Sequence, residues 1–84
     1  MSADDDRIRG AAAQRLLNDP LYVEAFEKVE AAIIKGFSRE NLLPEDLQAL
    51  YFSLRLLKKL RGVLDGYVAN GKVAEFDISL LKEK

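Results

Sequence analysis

Arg55, Lys58, Lys59 and Arg61 put four positive charges within seven residues. A cluster of this kind can hold phosphate oxygens, which is the electrostatic part of nucleic-acid binding. Asp4, Asp5 and Asp6 form the longest run of adjacent carboxylates. Such a run offers oxygen ligands to a divalent cation, although a frayed acidic N-terminus is the far more common case. Little else could do chemistry. Histidine and cysteine are both absent, which removes the commonest general base, the commonest metal ligand and every thiolate site. There is no glycine-rich phosphate loop, nucleophile elbow or metal-ligand motif. The catalytic tools left are carboxylates, lysines and tyrosines, in no arrangement that specifies a reaction. A non-enzymatic protein without cofactor or structural metal is expected.

Those charges must be carried by a small body. Eighty-four residues make one domain, 1–84, and a chain of this size buries only about 60–65% of its unfolded surface. Such chains usually add disulfides, a metal or self-association. Without cysteine or histidine, association is the device that remains. Fourteen acidic residues against thirteen basic ones leave a net charge of −1. That balance speaks against an obligate nucleic-acid binder, whose domain would be strongly basic. The start "MSADDDRIRG" has no apolar core and does not read as a secretory signal. No apolar run approaches about 18 residues, so no membrane span is expected. The cytosol is the default location.

Three helical segments can be drawn: an N-terminal helix within 1–18, then 20–37 and 44–70 as an antiparallel hairpin, with a tail over 72–84. Ser2 can cap the first, with Asp4, Asp5 and Asp6 in its first turn. Ile8, Ala12 and Leu16 form its thin apolar stripe. Asp19 is an N-cap candidate and Pro20 suits the first position of the second helix. Tyr22, Phe26, Val29, Ile33 and Phe37 then recur at spacings of four, three, four and four, one face of an α-helix. Gly36 is expected to end this helix in a left-handed conformation. The connector "GFSRENLLPEDL" leads to Pro44 and the third helix, which "NGK" at Asn70–Lys72 is expected to stop. The tail "VAEFDISLLKEK" fits either a helical stripe or an extended clip.

The third helix carries more apolar surface than one neighbour covers. Leu47, Leu50, Leu54, Leu57, Leu64 and Val68 form one seam, interrupted by Arg61. Phe52, Leu56, Leu60, Val63 and Tyr67 form a second, rotated by about a third of a turn at 100° per residue. A hairpin partner covers a stripe about 100° wide. The second seam is therefore expected to meet another copy of the chain. The alternative is a monomeric bundle in which the first helix and the tail fold over it. Glu24, Glu27 and Glu30 are expected to lie opposite the basic cluster and neutralise it. Gly62 and Gly66 could admit a close helix crossing or simply weaken the helix. Tyr22, Tyr51 and Tyr67 are placed at the core edge with their hydroxyls at the rim.

Two stretches are familiar together. "RLLNDPLYVEAFEKVEAAII" and "LRLLKKLRGVLDGYVANGKVAE" resemble a group of small helical proteins that tailed bacteriophages encode beside head and DNA-packaging genes. The shared pattern is an "LL-(D/N)-(D/N)-P" start running into "E-A-F", here Leu16 to Phe26, a middle loop, and a second helix ending in "G-(K/R)-hydrophobic-A", here Gly71 to Ala74. The resemblance spans Arg15 to Glu75 and rests on caps and core positions. It implies an oligomeric accessory of particle assembly, most of all a small-terminase-like hairpin in genome packaging. That protein would work in the host cytoplasm or on the virion, with a packaging or head protein as partner. The chain lacks the separate N-terminal helix-turn-helix of many small terminase subunits, so sequence-specific DNA recognition is not implied. The competing expectations are a nucleic-acid-binding module using Arg55, Lys58, Lys59 and Arg61, and a small inhibitor of a host protein using the same apolar surface.

Overall fold

The break between the first two helices falls at Asp19, which is extended at φ −68°, ψ 121°. Its carboxylate accepts the Leu21 N–H at 2.8 Å and the Tyr22 N–H at 3.3 Å. Two of the four donors a helix start leaves unpaired are thereby satisfied, a contribution of about 1 kcal/mol relative to alanine. Pro20 takes the first helical position, where no N–H is needed.

The computed structural model describes residues 3–82. The chain is all-helical, with α1 over Ala3–Asn18, α2 over Pro20–Gly36 and α3 over Pro44–Lys82. The Ser2 cap lies outside the described residues. At the start of α3 the cap works in reverse: Asp46, in the first turn, accepts the Leu43 N–H at 3.1 Å.

Three expectations are corrected. First, α3 does not stop at Asn70. It continues to Lys82 and takes in most of the expected tail. Gly71 has no positive φ, so it does not act as a C-cap. Leu50, Leu57, Leu64, Gly71 and Ile78 fall at seven-residue intervals and keep one side of α3 toward its neighbours through the supposed stop. Second, Gly36 is not left-handed. The helix ends through Phe37, whose N–H donates to the Ile34 carbonyl at 3.1 Å, and Ser38, whose N–H donates to the Lys35 carbonyl at 3.0 Å. Asn41, at φ 60°, makes the sharp turn instead, and asparagine tolerates that region. A Cβ on Gly36 would come within 2.6 Å of a Leu50 methyl, so this glycine provides space for α2 against α3. Third, α1 does not lie across α2 and α3. It packs on α3 around Tyr67 to Ala74, where Gly10 meets Gly71.

The helix pairings run in opposite chain directions. Gly36 meets Leu50, Arg61 stacks over the Phe26 ring at 5.6 Å, and Gly10 meets Gly71. The α1 crossing is a backbone contact. A Cβ on Gly10 would stand 2.7 Å from both the Gly71 Cα and the Tyr67 carbonyl oxygen. Ala13 and Ala74, three residues beyond each glycine, are buried there. Small side chains on both helices let the backbones touch. Arg9, paired with Asp6 at 3.5 Å, also covers the Tyr67 ring at 5.6 Å.

The product is a long, flat ribbon of 66 × 25 × 14 Å. Its thickness is close to that of a single helix layer. The radius of gyration is 18.2 Å, against about 12 Å for a compact chain of this length. Ala13 and Ala74 are the buried apolar residues among those described; the larger side chains between the helices are half-buried.

The Tyr22 hydroxyl departs from its expected place at the rim. It is buried with no hydrogen-bond partner. Removing a group whose desolvation is uncompensated relieves the fold. Tyr22→Phe is expected to raise stability, by up to about 1 kcal/mol. A urea midpoint below that of the wild type would contradict this.

Candidate functional site

The ribbon has two unlike faces, and α3 sets them. At 100° per residue, Ser53, Leu56, Leu60, Val63 and Tyr67 project to one side of α3, while Lys58, Arg61, Gly62 and Asp65 project to the other. On the first side an apolar groove of about 570 Å³ is lined by Val29 of α2 with Ser53, Leu56, Leu57, Leu60 and Val63, and Lys59 lies at its edge. On the second side Phe26, Glu27 and Glu30 of α2 face Lys58, Arg61 and Asp65 across a recess of about 370 Å³.

The second seam therefore lies open within the chain. Leu56 is 70% exposed and Phe52 55%; Leu60 and Val63 are exposed as well. The first seam, by contrast, is half-buried at Leu50, Leu54, Leu57, Leu64 and Val68. Tyr67 differs from its companions because α1 reaches it through Arg9 and Gly10. It forms the margin of the apolar face. The alternative in which α1 and the tail cover the whole seam is not what the fold adopts, because α1 is drawn to the Gly71 notch and the tail is part of α3.

The tail takes the helical stripe and not the extended clip, and forms a second apolar strip. Val73, Phe76 and Leu80, at spacings of three and four, point away from α1 once the helix continues. Phe76 is 64% exposed.

The four basic residues do not form one patch. Arg55, Lys58 and Lys59 line a recess with Phe52 and Leu56, while Arg61 lies beside Glu27, Glu30 and Asp65. Arg55 stacks over the Tyr51 ring at 5.7 Å. Among the described residues no ion pair joins Glu24, Glu27 or Glu30 to this cluster. Glu24 pairs instead with Lys28 in its own helix at 3.3 Å. Lys58 and Arg61 share their recess with two of those glutamates, Glu27 and Glu30. At the other end, Asp4 pairs with Arg7 at 3.5 Å and Asp6 with Arg9. Among the described residues no group of three or more carboxylates is placed to hold a metal ion. Gly62 and Gly66 face open space and take no part in a crossing.

No helix of the described residues is long and apolar enough to cross a membrane. Fold and site together define an elongated helical protein with one open apolar face and one charged face. The chain matches no known family, curated protein or solved structure.

Proposed function

We propose that this protein is a non-enzymatic, oligomeric adaptor built on an antiparallel helical hairpin, and that it serves bacteriophage particle assembly at the genome-packaging step. One observation carries the adaptor reading. Phe52, Leu56, Leu60 and Val63 are open to solvent on a ribbon too thin to cover them. Contiguous apolar surface of that kind marks an interaction site. The strip of Val73, Phe76 and Leu80 supplies a second, separate surface, and an adaptor needs two. The phage assignment is supported by the motifs at Leu16–Phe26 and Gly71–Ala74, and by a charge balance that suits protein partners. Its site of work would be the host cytoplasm or the virion.

Arg55, Lys58 and Lys59 support a nucleic-acid reading, since they share a recess with Phe52. A mobility-shift titration separates the two. An adaptor is expected to give no shifted DNA at about 150 mM salt, whereas a binder shows a log–log salt slope near −0.9 per phosphate contacted. A shift abolished by Arg55→Ala with Lys59→Ala would move the function to the basic cluster. Affinity capture from infected cells is expected to return a phage head or packaging protein. Capture of one host protein from uninfected cells would favour an inhibitor instead.

A further inference from the structure

We infer that the open face takes a second copy of this chain about a twofold axis at Leu60, α3 against α3 in opposite directions. The inference rests on the adaptor reading and deepens it by naming the occupant of this face.

Area comes first. The isolated chain exposes 6631 Å², where a compact protein of its 9.4 kDa mass would expose about 5000 Å². The excess is about 1600 Å², and a standard interface takes about 800 Å² from each partner. One copy seated on this face therefore removes about half of the excess without needing any other surface.

Shape and pattern come next. A twofold contact needs a patch that complements itself. Phe52, Leu56, Leu60, Val63 and Tyr67 have aromatic residues at the ends and aliphatic ones between. Reversed about Leu60, the row maps onto itself to within one residue: Phe52 lies eight positions before Leu60 and Tyr67 seven after, Leu56 four before and Val63 three after, and Leu60 meets Leu60. Ala25 and Ala32 stand four and three residues from Val29 on the same side of α2. They keep the α2 margin low beside the groove, which leaves room for a leucine of the other copy. The product is a four-helix arrangement in which each ribbon closes the other's open side.

Charge agrees. The groove has Lys59 at its edge, and its other lining residues are Ser53 and apolar side chains. Glu27, Glu30, Lys58, Arg61 and Asp65 sit around the recess on the opposite face, so stacking leaves them in water. A nucleic acid would be drawn instead to Arg55, Lys58 and Lys59, at the Phe52 margin of this face.

Sedimentation equilibrium with three variants tests the inference. The wild type at tens of micromolar is expected at twice 9.4 kDa. Leu56→Glu should weaken the pair at least about 100-fold, since the axis brings two charges onto apolar ground. Leu56 is 70% exposed in the single chain, so this loss cannot come from its interior. Phe76→Glu, on the strip that points away, should leave the mass unchanged. Leu60→Cys should oxidise to a disulfide between copies with its helix content intact, because the axis sets the two side chains together. An oligomer that Phe76→Glu also dissolves, or one that Leu60→Cys fails to cross-link, would overturn the twofold and leave the adaptor reading standing. A wild type that stays at 9.4 kDa overturns both.

Discussion

Gly71→Val is expected to detach α1 from α3 while leaving α2 in place. A Cβ at residue 71 would stand 2.9 Å from the Gly10 Cα and 3.1 Å from the Asp6 carbonyl oxygen. Both obstacles are backbone, so no side chain can swing aside. The helices must move apart, and the burial of Ala13 and Ala74 goes with them. Overpacking of this kind costs about 1–3 kcal/mol. Helix propensity returns less than about 1 kcal/mol of that, since glycine is the poorer helix former. Gly10→Val should act in the same way, with Tyr67 and Gly71 backbone atoms at 2.7 Å. Gly62→Ala and Gly66→Ala are the controls: open space surrounds both, and each should stabilise by about 0.5–1 kcal/mol. Hydrogen exchange separates the outcomes. Amides of residues 3–18 should lose protection in Gly71→Val, and those of 20–36 should keep it. Unchanged protection over 3–18 would show that the crossing is not a backbone contact.

The thermal midpoint is expected to rise with protein concentration. The single chain buries two alanines among its described apolar residues, whereas a small domain draws its stability from buried leucines and phenylalanines at about 1.5–3 kcal/mol each. If those groups are covered by a second copy, folding and association are one equilibrium. A tenfold increase in concentration then adds about 1.4 kcal/mol per pair. For a unit of two such chains that is about 3–5 °C. Calorimetry over two decades of concentration checks this, and Leu56→Glu should melt far lower than the wild type at every concentration. A midpoint that ignores concentration would mean that the half-buried first seam holds the fold by itself.

Such association would also explain why α3 carries two seams. The first, through Leu50, Leu54, Leu57, Leu64 and Val68, is half-covered by α1 and α2. The second is left for a partner. The charged face, with Glu27 and Glu30 beside Lys58 and Arg61, is the side that can remain in water.

Much of this was legible in the residues. Asp19 with Pro20, and Pro44 with Asp46, act through backbone groups two or three positions away, so their caps need no tertiary partner. The spacing of Phe52, Leu56, Leu60 and Val63 placed them on one side of α3, and one hairpin partner could not cover that side as well as the first seam. What the sequence could not decide was the meaning of its glycines. A glycine ends a helix when nothing needs its bare surface, and it stays inside one when another backbone must approach. Gly71 had the neighbours of a helix stop, Asn70 and Lys72, and only the arrival of Gly10 made it a notch. Continuation of α3, the outward strip at Val73, Phe76 and Leu80, and the position of α1 all followed from that crossing. The division of the basic cluster followed from the helix itself. Arg55 and Lys59 line one recess and Arg61 another, with Lys58 at the edge of both, because a helix that turns 100° a residue spreads four charges close in sequence around its axis.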